Sequence, residues 1–119
     1  MSNINESLEK LLAVDGVQAA ALVDYNSGML LGDAGSGLDM EIAAAGNTEV
    51  VRSKLKTIEA LGLNETIEDI LITLGSAYHI IRPVASEDGL FIYLVADKAK
   101  ANLAMARRQV QSVEKQLKI

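Results

Sequence analysis

Hydrophobic positions along this chain fall into two periods. Ile4, Leu8, Leu11 and Leu12 recur every three or four residues and predict a first helix, with Asn3 or Asn5 placed to cap it and Asp15-Gly16 to end it. The pattern then changes. VQAAALVD (Val17–Asp24) and MLLG (Met29–Gly32) are short β-friendly runs around YNSG, which is a hairpin signature. DAGSG leads to Asp39, placed as N-cap of a long helix that runs to about Leu61, with Gly62 as its C-terminal stop. Three more apolar runs follow: IEDILITL, AYHIIRPV and LFIYLVA. Gly75-Ser76 fits a two-residue turn between the first two, and ASEDG a longer loop between the last two. Asp97 is placed to cap a final helix in which Leu103, Ala106, Val110, Val113 and Leu117 alternate by three and four. The order is α-β-β-α-β-β-β-α, in one domain spanning residues 1–119 with neither repeat nor linker.

The strands carry apolar residues on both sides. Ile70, Ile72 and Leu74 oppose Leu71 and Thr73, and Leu90, Ile92 and Leu94 oppose Phe91, Tyr93 and Val95. A sheet with one wet face alternates apolar with polar, so both faces of this one are covered. Three helices divide most economically as two on one face and one on the other. Pro83 has no amide donor, so ladder pairing ends or is exposed near it.

The middle helix raises a separate question, because Gly46 sits in its interior. A mid-helix glycine costs about 1 kcal/mol relative to alanine. Met40, Ala44, Val51, Leu55 and Ile58 form the sheet-facing stripe. A different flank carries Ile42, Gly46, Ser53, Thr57 and Ala60, mostly small, with Val50 beside them. Small residues in register let another backbone approach closely, and on a helix that covers its sheet face alone that backbone comes from a second molecule. Ile42, Gly46, Val50, Ser53, Thr57 and Ala60 are therefore the candidate dimer interface. The competing reading leaves the stripe in solvent or under a loop.

Composition narrows the function. The chain has 119 residues, half of them hydrophobic, one proline and no cysteine, which excludes disulfides and thiolate chemistry. The N-terminus MSNINESLEK lacks a signal pattern and no apolar run approaches bilayer length, so a cytoplasmic protein without membrane insertion is expected. The net charge of −5 is uneven: residues 1–97 hold 5 basic and 15 acidic side chains, residues 98–119 hold 6 basic and one acidic. An acidic body argues against nucleic acid as a partner. The basic tail, with Arg107 and Arg108, is a weak candidate docking surface for an acidic partner; the plainer reading is a solvated helix face.

Catalytic chemistry has little to work with. The single histidine, His79, lies in an apolar strand beside Tyr78 and reads as structural. One histidine without cysteine makes a zinc site improbable. Glu65, Glu68, Asp69, Glu87 and Asp88 fall at loops and strand starts, where solvated carboxylates are ordinary. GDAGSG (Gly32–Gly37) lacks the lysine and terminal hydroxyl of a phosphate loop, sits among Asp33, Asp39 and Glu41, and reads as a flexible connection. No catalytic residue, metal or cofactor is expected.

The order of elements, with VQAAALVDYNSGMLLG, AYHIIRPVASEDGLFIYLVADK and ANLAMARRQV (Ala101–Val110), resembles the roadblock / dynein light chain seven family over about residues 5–117. Asp97–Ala104 is similar to its bacterial and archaeal members. The resemblance implies an α+β sandwich: a five-stranded antiparallel sheet with one long helix on one face and two terminal helices on the other. It also implies homodimers or heterodimers formed through the middle helix and the neighbouring strand. For prokaryotic-type members it implies partnership with small Ras-like GTPases, some as GTPase activators. A non-enzymatic homodimeric regulator or scaffold is the expectation. The alternative is a small-ligand-sensing domain, whose sign would be a vacancy between helix and sheet lined by Tyr78, Tyr93 or Phe91.

Overall fold

A computed structural model describes residues 2–119. Its elements are α1 (Ile4–Leu12), β1 (Val17–Asp24), β2 (Met29–Gly35), α2 (Met40–Ala60), β3 (Ile70–Thr73), β4 (Ala77–Pro83), β5 (Leu90–Asp97) and α3 (Leu103–Gln116). The strands form one open antiparallel sheet in the order β2-β1-β5-β4-β3. The α+β sandwich that the resemblance implies, with the two-and-one division of helices expected from the apolar runs, is the observed architecture.

Register divides the side chains between two cores. Ala20, Leu22, Ile80, Ile92, Leu94 and Ala96 meet Leu8 and Leu11 of α1 and Ala106, Val110 and Val113 of α3. Ala19, Ala21, Val23, Ile81, Phe91, Tyr93 and Val95 meet Met40, Ala44 and Val51 of α2. The three alanines of β1 alternate between the faces, and their small side chains let helices settle closely on both. Among the described residues no helix is long and apolar enough to cross a membrane.

Local chemistry explains most element ends. The Asp39 carboxylate accepts from the amides of Glu41 (3.1 Å) and Ile42 (3.2 Å), capping α2 as expected. At the other end Gly62 takes φ 67°, its amide donates to Glu59 O (3.0 Å), and Leu63 N donates to Ile58 O (3.1 Å). That pair of bonds satisfies helix-end carbonyls and needs a residue tolerant of left-handed backbone. Leu74 N donates to Ala77 O (2.8 Å), closing the β3–β4 hairpin over Gly75-Ser76.

Three expectations are corrected. Asp97 does not cap the last helix: its carboxylate accepts from Ala99 N (2.9 Å) in a turn at the end of β5, and Asn102 caps α3 by accepting from Met105 N (3.1 Å). Asn3 precedes α1 without a side-chain cap. Its amide instead donates to Gln116 O (2.9 Å) and its oxygen accepts from Lys118 N (2.6 Å), joining the two ends of the chain. The GDAGSG connection is in part strand, since β2 continues through Asp33, Ala34 and Gly35 opposite Ala21, Ala20 and Ala19.

Candidate interaction surface

Helix α2 buries Met40, Ala44, Thr48 and Val51, with Leu55 and Ile58 half-buried, so its sheet-facing stripe is the one the 3.6-residue period marks. Thr48 is the polar exception in that stripe, and its hydroxyl is buried without a hydrogen-bond partner. The helix packs chiefly over β1 and β2. The β3–β4 side of the same sheet face is left thinly covered. There Ile70 opposes Ile81, Ile72 opposes His79, and all of Ile70, Ile72 and His79 remain half-buried.

The flank of α2 that looks along this open side carries the six residues singled out by their spacing. Ile42 is 71% exposed and Val50 38%, and Gly46, Ser53, Thr57 and Ala60 are exposed as well. A methyl built on Gly46 would meet no atom within 4 Å, so nothing inside the chain requires glycine there. The Thr57 hydroxyl donates to Ser53 O (3.0 Å) within the helix, which satisfies the polar group on this flank.

Two concavities meet at Gly46. An open groove of about 700 Å³ runs between α2 and the start of β3, with Gly46, Val50, Ser53 and Thr57 on one wall and Asp69 and Ile70 on the other. A second, of about 360 Å³, is lined by Leu38, Ile42, Gly46, His79 and Tyr93 among others. The structure thus brings five of the six candidate residues together around one continuous surface; Ala60 is exposed but lines neither concavity.

His79 and Tyr93 form the polar floor of the second concavity. His79 Nδ1 and Tyr93 Oη lie 2.9 Å apart, with the rings edge to face at 5.4 Å. Burial pushes the His79 imidazole below its ordinary value toward the neutral form. Burial likewise raises the Tyr93 hydroxyl, against a smaller opposing effect of the Asn47 amide. Sequence spacing missed His79, Ile70 and Ile72 as part of this surface, although the apolar alternation of Ile70 and Ile72 already put them on one face. Of the three aromatics expected to line a ligand vacancy between helix and sheet, Tyr93 does border the open concavity of about 360 Å³ beside α2, whereas Tyr78 and Phe91 do not. Tyr93 and Phe91 are fully buried beneath α2, and Tyr78 lies on the opposite face, where Lys98 sits 5.9 Å above its ring.

Arg107 and Arg108, adjacent in sequence, are separated in role. Arg107 makes a paired contact with the Asp69 carboxylate (3.0 and 3.1 Å), tying α3 to the strand start of β3. Arg108 instead lines a cleft on the α1–α3 side of the molecule.

One sheet lies between α1 and α3 on one face and the long α2 on the other, a three-layer sandwich whose β3 edge α2 leaves open. Comparison with solved structures names the fold. The chain superposes on the Roadblock/LC7 domain from Streptomyces avermitilis with a TM-score of 0.84, at 14% identity over 97% of this chain and 94% of that one. It superposes on Myxococcus xanthus MglB with a TM-score of 0.82, at 19% identity over 94% and 89% of the two chains. An MglB described with a tetrameric arrangement gives 0.82, at 17% identity over 96% and 84%. No family model matches the chain, and no curated protein is significantly similar to it in sequence. The chain has the roadblock/LC7 fold, as the resemblance implied.

Proposed function

We propose that this protein is a non-enzymatic regulator or scaffold that forms a homodimer through the α2 flank and the β3 edge, and that the dimer binds a small Ras-like GTPase. The observation that carries the reading is the open side of the sheet: an exposed apolar and small-residue flank around Gly46, beside a thinly covered strand pair. Exposed apolar surface of this kind marks association sites, and a two-fold dimer uses one self-complementary patch. The roadblock fold supports the reading, as does an MglB match described with a tetrameric arrangement. The GTPase partner follows from what the resemblance implies for prokaryotic-type members. His79 has a phenol as its hydrogen-bond partner and is held toward neutrality, which suits a structural element of a binding face better than a proton-transfer dyad.

Light scattering at tens of micromolar tests the first half. The expected mass is twice the 12.7 kDa chain, and Gly46→Glu is expected to give a folded monomer. A monomeric parent protein overturns the dimer, and a fully dimeric Gly46→Glu overturns the placement of the interface. The second half is tested by affinity purification from the native cell. A small GTPase is the expected partner, and its hydrolysis rate with and without this protein separates activation from recruitment.

A further inference from the structure

On the face away from α2, the C-terminal end of α1 and the N-terminal end of α3 enclose a cleft of about 480 Å³. Its walls are held by the backbone. Gly16 N-terminal to β1 stacks so closely on Ala101 that a methyl at Gly16 would lie 2.6 Å from Ala101 N, and Asp97 N donates to Gly16 O (2.8 Å). Only glycine permits that approach, and it also supplies the φ of 86° required there. The cleft therefore exists before any ligand arrives.

Its lining is unlike the rest of the protein. Lys10, Lys100 and Arg108 stand around it against one carboxylate, Asp15. Among the described residues Lys100 and Arg108 pair with no carboxylate, whereas Arg107 is committed to Asp69 and Lys98 to the Tyr78 ring. The Lys10–Glu6 contact is long, at 3.7 Å, and exposed, so it exchanges readily with another anion. Met105, 60% exposed, lines the same cleft with Ala13 and Val14, which adds an adaptable apolar floor. A basic, apolar-floored concavity is thus set in a chain whose first 97 residues carry 15 acidic against 5 basic side chains.

We propose that the cleft between α1 and α3 is a docking site for a short acidic segment of a partner protein that carries an apolar side chain. Charge complementarity selects the sign of the partner, and the apolar floor gives one side chain a place to bury. The acidic body favours a short protein segment over a polyanion. A nucleic-acid duplex or an anionic bilayer presents negative charge well beyond the cleft, within a Debye length of the surrounding carboxylates. This surface lies on the opposite face from the proposed dimer flank and does not depend on it.

The test is fluorescence anisotropy of the full chain with a labelled peptide of about ten residues, mostly Glu and Asp around two leucines. Saturable binding is expected, about fivefold weaker or more when salt rises from about 50 to about 300 mM. The Lys100→Glu, Arg108→Glu double variant is expected to bind about tenfold more weakly or worse, with unchanged melting and unchanged oligomeric mass. Met105→Ser is expected to weaken the leucine peptide more than an all-acidic control. Absence of saturable binding overturns the proposal, as does binding indifferent to the double charge reversal. A short single-stranded oligonucleotide or phosphatidylserine vesicles that bind more tightly than the peptide, and lose binding in the same variant, also overturn it and reassign the cleft to polyanions.

Discussion

Replacing Gly46 by alanine separates the energetics of the isolated chain from those of an assembly. Gly46 lies in the middle of a 21-residue helix and does not take a positive φ. An added methyl meets nothing within 4 Å inside the chain. Alanine there should therefore stabilise the folded monomer by about 0.5–1 kcal/mol, through helix propensity and reduced freedom of the unfolded chain. At an interface where a second backbone approaches Gly46, the same methyl is an overpacking change that costs about 1–3 kcal/mol. A symmetric dimer brings in two such methyls, so the dissociation constant is expected to rise by about tenfold or more, since about 1.4 kcal/mol is a factor of ten. Sedimentation equilibrium across a concentration series measures that constant. Thermal melts at dilute and concentrated protein measure the two stabilities separately, because assembly makes the melting temperature depend on concentration. The expected pattern is a higher melting temperature when dilute together with weaker association. Higher melting at every concentration with an unchanged dissociation constant would refute the interface role of this glycine.

Three further predictions test other parts of the fold. Glu114 is almost completely buried, at 5% side-chain exposure, and accepts from Arg82 Nε (2.9 Å) and Ala85 N (3.3 Å), while Arg82 is itself 13% exposed with Nη1 unpaired. Glu114→Ala should cost about 3–5 kcal/mol in urea unfolding by leaving the guanidinium without a counter-charge, whereas Arg82→Met with Glu114→Leu should come out near neutral; a loss under about 1 kcal/mol in the single variant sinks this. Thr48→Val should raise the unfolding free energy by about 1 kcal/mol, since the buried hydroxyl has no partner to lose, and a destabilised variant would mean that the hydroxyl is satisfied after all. His79 is lowered from its ordinary 6.5 by burial, so below that value the unfolded chain takes up a proton that the folded chain resists. Stability should therefore fall as pH drops from about 7.5 to about 5.5, and His79→Gln should flatten that slope; equal slopes would refute the assignment.

Legibility in the sequence followed the range of the forces involved. Strand β1 was readable residue for residue, because an apolar run bounded by turn signals is a local pattern. The last three residues of β2, Asp33, Ala34 and Gly35, have no strand character of their own and are held by the register of β1 opposite them. Asp97 and Asn102 are equally good caps on local rules. The choice falls to Asn102 because Asp97 still belongs to the end of β5, where its amide donates to Gly16 O and its carboxylate accepts from Ala99 N, so the helix starts one turn later. Asn3 was misplaced for a similar reason, as its side chain serves residues 116 and 118. Arg107 and Arg108 sit about 100° apart around a helix, so one reaches Asp69 and the other the α1 cleft; spacing gives that separation but not the partners. On the candidate surface, the α2 flank was visible in the small-residue spacing. Its opposite wall was not, because which part of a sheet a helix leaves uncovered is set by packing.

The two faces of this sheet are closed unequally, and that inequality is the strongest physical reason to look for a partner at β3. Two helices close the face built on Leu22, Leu94 and Ile80, whereas one helix serves the face built on Ala21, Tyr93 and Ile81 and lies mainly over β1 and β2. The edge it neglects is β3, four residues long and reading Ile-Leu-Ile-Thr, with neither lysine nor proline to discourage pairing. Natural edges are ordinarily blunted by shortness, charge, bulges or cover, and of these β3 has its short length. The nearest charge, Asp69, is neutralised by Arg107 rather than left to guard the strand. Backbone donors and acceptors along that edge, an exposed Val50 and Ile42, and a glycine that nothing inside the chain requires all lie on the same side. A second copy placed there would satisfy the strand edge and bury the flank in a single contact, which is why the association test at Gly46 and the accessibility of β3 amides to hydrogen exchange should change together. Protection of β3 amides that is independent of protein concentration would separate the two and remove the argument.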